Sequence, residues 1–193
     1  MVSKLLKNKE NGNASMTMIF VLIFIFVLTL ITYSLLTVGM LMTHQHEVDD
    51  VLVDAVLASA IANEEYYFKT REEGGTVESG VVKFLDVDYC HDQFIKSINT
   101  ELSYEYDKFF SDLVLENVTF YEVEGTTVKA TSFNSLGEKS VSYGTFGSMR
   151  APTGAVIERT SVYGKISFTV HAYFCIDISH RVSRDLYSTI RHG

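Results

Sequence analysis

Between Met16 and Met42 the chain runs for 27 residues, MTMIFVLIFIFVLTLITYSLLTVGMLM, without one charged side chain. A helix of about 20 apolar residues crosses the roughly 30 Å hydrocarbon core of a bilayer, so this run spans it with a turn or more to spare. A secretory signal peptide is the competing reading. Its apolar region is shorter, about 7–15 residues, and it ends in a small-x-small cleavage site. Thr43-His44-Gln45 is a poor match for such a site. The segment is therefore expected to be a retained single-pass anchor, in contact with membrane lipid.

Flanking charge sets the expected direction. Lys4, Lys7 and Lys9 precede the span, and His44, His46, Glu47, Asp49 and Asp50 follow it. The positive-inside rule then makes residues 1–15 a short cytoplasmic leader, 16–42 the transmembrane helix, and everything beyond extracytoplasmic, in the cell membrane. About 15 residues are too few to fold into a cytoplasmic output module, so any signal would pass laterally, through partners in the membrane.

Charge narrows the partners of the outer part. The chain carries −8 overall, and without the three lysines and one glutamate of the leader the remainder is two charges more negative. Nucleic-acid binding needs clustered Lys and Arg to neutralise phosphates, so no nucleic-acid partner is expected. Eleven Tyr, thirteen Phe and a single Pro speak for a packed, strand-containing domain over a disordered stalk.

The helix is expected to continue beyond the lipid through residues 43–75. No Pro or Gly interrupts 44–69, and Val48, Val51, Leu52, Ala55, Ala58, Ile61 and Ala62 recur at three- and four-residue steps. A helix from about residue 14 to 69 would reach roughly 80 Å at 1.5 Å per residue. Gly74-Gly75 supplies the stop. Residues 76–193 then read as an α+β domain. Val81–Val87 suggests a short strand, and Asp88 an N-cap for a second helix over Tyr89–Leu113, with Phe94, Ile95, Ile98, Leu102, Tyr106, Phe109 and Phe110 at helical spacing. Leu115–Val123 and Thr127–Phe133 flank Glu124-Gly125-Thr126 as a hairpin, and Ser140–Phe146 adds a strand. From Ile166 to Ile178 apolar residues alternate with polar ones, which predicts one long strand with a buried face. The fold class is α+β: a long N-terminal helix, a second helix and a C-terminal antiparallel sheet.

The usual catalytic clusters are missing. There is no Gly-rich phosphate loop, no G-x-S-x-G and no H-E-x-x-H. His44, His46, Asp49 and Asp50 hold metal-ligand types, but two histidines two apart point to different sides of a helix, so they read as a polar collar. Cys90-His91-Asp92 places its groups on adjacent positions that do not converge. Cys90 with His171 or His180 as base is a thiol-nucleophile arrangement that the sequence permits and does not favour. Asn117-Val118-Thr119 is a glycosylation sequon inside an expected strand. No catalytic residue, cofactor or metal site is expected. Cys90 and Cys175 either pair, closing a loop of about 85 residues worth roughly 4 kcal/mol, or remain two buried thiols. Their spacing does not choose.

The junction Lys7-Asn8-Lys9-Glu10-Asn11-Gly12-Asn13-Ala14-Ser15-Met16-Thr17 carries a resemblance. A short basic leader, a glycine, a few small or polar residues and an uninterrupted apolar helix resemble the N-terminus of the type IV pilin-like superfamily, most closely the TadE-like pseudopilins of tight-adherence pilus systems. The stretch Thr160–Phe168 also resembles the last strands of such proteins. The resemblance implies cleavage between Gly12 and Asn13 by a prepilin peptidase, and a helix shared between lipid and an outer domain. It also implies partnership with other pilin-like or pilus-assembly membrane proteins, as a homo- or hetero-oligomer through the transmembrane helix. The family places a glutamate five residues after the cut, where this chain has Thr17. The expected function is that of a non-enzymatic minor pilin, pseudopilin or pilus-assembly component. The alternative is a membrane-anchored extracytoplasmic ligand-binding domain.

Overall fold

The computed structural model describes residues 2–63, 82–102, 110–173 and 177–190. The elements run α1 (Val2–Ser59), α2 (Val87–Leu102), β1 (Phe110–Glu124), β2 (Thr127–Asn134), β3 (Lys139–Thr145), β4 (Ser161–Tyr173) and β5 (Asp177–Thr189). The architecture is α+β: a long apolar N-terminal helix, a second helix and a five-stranded antiparallel sheet in the order β3-β2-β1-β4-β5. The chain divides into two compact units, residues 1–43 and 44–193.

In the first unit the apolar run is helical, and its large side chains from Met16 to Met40, with Met42, are exposed. The hydroxyls of Thr29, Thr32 and Thr37 donate to the carbonyls of Ile25, Leu28 and Tyr33 at 2.8–3.1 Å. Threonines on an apolar helix would be costly to place in hydrocarbon without a partner, and the carbonyl one turn back supplies it.

In the second unit, α1 buries Val48, Val51, Leu52 and Ala55 of its expected core face, and Val56 besides, while Ala58, expected on that face, is exposed. The helix ends at Ser59 and does not run on to residue 69 as expected. Ser59 is buried and donates to the Val56 carbonyl at 2.8 Å. Residues 61–63 then leave the helix to pair with 83–85: Asn63 N donates to Lys83 O at 2.8 Å, Leu85 N to Ile61 O at 3.0 Å, and Ala62 bridges Phe84. Ile61 and Ala62 fit a helical period, but tertiary pairing outweighs the few tenths of a kcal/mol per residue that propensity offers. This bridge is what the expected strand at 81–87 becomes; Val87 opens α2, and Val81 lies outside the described residues, as do Gly74 and Gly75.

The α2 helix is capped two residues earlier than expected. The Asp86 carboxylate accepts from Asp88 N at 3.0 Å, and Asp88 instead pairs with Lys139 Nζ at 2.8 Å. Its buried face is Cys90, Phe94, Ile98 and Leu102. The helix stops at Leu102, not Leu113. Tyr106 and Phe109 lie outside the described residues, and Phe110–Leu113 belong to β1, where Phe110 pairs with Val170. A short aromatic run fits either period, and the ladder with β4 claims it.

The expected hairpin is present, with Glu124 opposite Thr127 and Gly125 at φ 58° in the two-residue turn. Type I′ and related tight turns need positive φ, which glycine adopts without a Cβ clash. The expected single strand from 166 to 178 is instead the second half of β4 and the start of β5. The chain reverses between Tyr173 and Asp177, which pair with each other. Alternation alone cannot show a reversal when the returning strand continues the same apolar-polar rhythm.

Both faces of the sheet are covered over its centre. On one face lie α1 and α2: Phe84 meets Phe120 edge-on at 5.2 Å, and Gly164 sits beneath Phe94 and Val56. A carboxylate is buried there too, and it is paired: Glu122 accepts from Lys129 Nζ at 2.9 Å and from Phe84 N at 3.3 Å. On the other face the segment between β3 and β4 folds back, so that Ala151 and Ile157 pack on Tyr121, Val123, Val128, Ala130 and Tyr163.

Candidate functional site

Among the described residues, the apolar helix presents a long run of exposed large hydrophobic side chains. Met16–Ser59 is long and apolar enough to cross a membrane, and none of its most apolar 18-residue window is buried. Phe24 and Leu35 are 67% and 68% exposed. A soluble protein does not leave a surface of this kind to water, because each apolar Å² costs about 25 cal/mol when wet. A single N-terminal apolar helix therefore marks a membrane anchor. Gly12 and Asn13 lie within the helical run of α1.

Just beyond it, several polar residues lie close to one another. His44 Nδ1 lies 3.4 Å from Glu47 Oε2, and Asp49 Oδ1 lies 3.0 Å from Arg184 Nε of β5. Arg184 also donates to Gln45 Oε1 at 3.2 Å. The collar ties the end strand of the sheet to the helix. No group of three or more metal-ligand side chains converges among the described residues.

The thiol arrangement considered from sequence is not brought together. Cys90 is fully buried under the helix-covered face, with Sγ 3.9 Å from the Ile61 carbonyl, and burial pushes its thiol up from the ordinary range. His171 lies on the opposite face of the sheet, and His180 is exposed on β5. The Cys90 thiol is free, and Cys175 lies outside the described residues. His91 stacks on Phe133 at 4.1 Å, and burial lowers its pKa below the ordinary imidazole value. In the sequon, Asn117 accepts from Thr119 Oγ1 at 3.4 Å within β1.

A depression of about 430 Å³ opens beside the second core, lined by Val156, Glu158, Arg159, Tyr187 and Thr189. Near it Tyr163 has its phenol pushed up to about 12, by burial first and then by Asp185. A phenol held so firmly protonated is a structural hydrogen-bond donor and a poor base at neutral pH.

One cluster was not legible from sequence: Ser111, Asp112, Thr169 and His171 meet at one end of β1 and β4. Only the strand register brings positions 111 and 171 together, and no local motif announces it.

No family model matches the chain, and neither a curated protein nor a solved structure matches it.

Proposed function

We propose that this chain is a single-pass membrane protein of the TadE-like, pilin-like kind, with its N-terminus in the cytoplasm and its α+β domain outside. It acts as a minor pilin, pseudopilin or pilus-assembly component, and it works by contact, not catalysis. The observation that carries this reading is the exposed apolar helix that meets its own polar needs: Thr29, Thr32 and Thr37 each find an acceptor one turn back. A surface of this type suits lipid or the flanks of similar helices equally, because both leave the backbone bonded within itself. The basic leader ending at Gly12 and the acidic collar after the span support the direction.

The ligand-binding alternative asks for a deep apolar pocket with convergent polar groups. The depression beside Tyr187 is open and carries Glu158 and Arg159 on its wall, which gives that alternative little support.

Two measurements on protein from native membranes test the reading. Crosslinking and co-purification are expected to recover other single-helix pilin-like proteins; a lone monomer under mild extraction counts against it. The mass of the N-terminal peptide is expected to place a new terminus at Asn13. An intact leader would leave a fixed anchor in the assembly machinery and remove the filament role.

A further inference from the structure

Ser111 pairs with Thr169 across the β1–β4 ladder, on the sheet face turned away from the helices. His171 lies two residues further along β4 on that same face, and its Nε2 is 2.6 Å from Ser111 Oγ. The neighbouring Asp112 carboxylate is also within reach: Ser111 Oγ lies 3.2 Å from Asp112 Oδ2, and Thr169 Oγ1 donates to the same oxygen at 3.3 Å. In a regular strand the side chains of residues 111 and 112 would point to opposite faces. Here they do not, for a visible reason. Asp112 has a left-handed φ of 53°, and the register slips by one residue between the Ser111–Thr169 and Val114–Ser167 pairs. The extra residue is a β-bulge, a device that re-aims a side chain. Aspartate is one of the few residues that accept this backbone. Arg181, opposite Thr169 on β5, adds a cation on the same face, where it donates to Ser167 Oγ at 2.9 Å.

A hydroxyl within hydrogen-bond reach of an imidazole nitrogen is the arrangement by which a serine becomes a nucleophile. We propose that Ser111 is a reactive hydroxyl that takes up one acyl group from an activated ester or thioester, with His171 as its base and Asp112 as a positioning residue. Ser111 Oγ forms a bond to the carbonyl carbon and its proton passes to His171 Nε2. The bond from that carbon to the leaving oxygen or sulfur breaks. The leaving group departs with the electron pair and takes the proton from His171, giving an acyl-serine ester and a free alcohol or thiol. No oxidation state changes. Ser111 has one hydroxyl proton, which it gives either to Asp112 Oδ2 or to His171 Nε2; Thr169 donates to the same carboxylate oxygen and fixes Asp112 beside the hydroxyl, and attack sets out from the rotamer that donates to the imidazole. A single transfer of this kind modifies the protein and needs no turnover, so it stands independently of the assembly role proposed above.

The test uses the full chain in detergent micelles with p-nitrophenyl acetate as the acyl donor, followed by peptide mass mapping. One acetyl group is expected on the peptide carrying Ser111, none on that peptide in Ser111→Ala, and a rate about a hundredfold lower in His171→Gln, at the low end of what a positioned base contributes. Asp112→Asn, which keeps the left-handed backbone and an acceptor oxygen, is expected to retain most of the rate, while Asp112→Gly loses it. Acetylation of the unaltered protein confined to lysines, or a Ser111 rate indifferent to His171→Gln, overturns the proposal.

Discussion

Gly164 shows how tightly the helix-covered face is set. A Cβ there would lie 3.0 Å from two ring atoms of Phe94 and 3.4 Å from a Val56 methyl. Phe94 is itself fully buried, so it has no free direction in which to yield. Gly164→Ala is expected to destabilise the outer domain by about 1–3 kcal/mol through overpacking, read as a lowered denaturant midpoint with an unchanged slope. His91 gives a pH signature. Burial is the largest cause of its lowered pKa, and Asp92 and Asp88 offset it in part. The unfolded chain therefore takes the proton first. Stability from His91 is fully present above the ordinary imidazole range, near about pH 6.5, and is lost as the pH falls through it. Thermal midpoints measured from pH 8 to pH 5 should decline in acid, and His91→Phe, which keeps the stack on Phe133, should flatten part of that decline. A slope identical in the variant would assign the acid sensitivity to other groups.

At the level of elements, what could be read in the sequence follows from where each pattern was unambiguous. The β1–β2 hairpin was legible because Gly125 marks a turn between two alternating apolar runs, and β3 falls within a residue of its expected bounds. Four of the buried positions of α1, Val48, Val51, Leu52 and Ala55, were legible from their spacing, and the fold class with them. Element ends were not, because pairing partners decided them: residues 61–63 were taken by 83–85, and Phe110 by Val170. The β5 strand was missed because Asp177–Thr189 is an edge strand whose polar residues face solvent, and it carries little apolar signal. The segment between β3 and β4 forms no named strand or helix, yet it supplies Ala151 and Ile157 to the second core. Ile157 is fully buried within it. Ile157→Ala is expected to cost about 2–5 kcal/mol, as for other buried isoleucines. Leu136→Ser, at a turn position 80% exposed, should stay within about 0.5 kcal/mol of the parent. Equal effects in denaturant titration would mean the loop is not part of the core.

For the whole molecule, the division at residue 43 separates two solvents. Residues 16–42 offer a predominantly apolar surface, while residues 44–193 close a core on each side of the sheet. A chain beginning at His44 is accordingly expected to stay soluble without detergent and to unfold in one cooperative transition, checked by coincidence of circular dichroism and tyrosine fluorescence melts. Aggregation of that chain, or a transition without cooperativity, would show that the anchor is needed to fold the outer part. The candidate site divides along the same line. The membrane-facing surface was plain from composition, whereas Ser111 and His171 stand 60 residues apart and meet only through a register that a bulge displaces.

The covering of β1 from both sides has a practical consequence for anyone who wants to follow this protein in cells. A reporter peptide inserted among residues 151–157 would enter the second core and break it. The β2–β3 turn around Leu136 and Gly137 projects into solvent, carries a left-handed glycine and touches neither core, so an epitope spliced there should report the side of the membrane on which the domain resides without altering what it reports on.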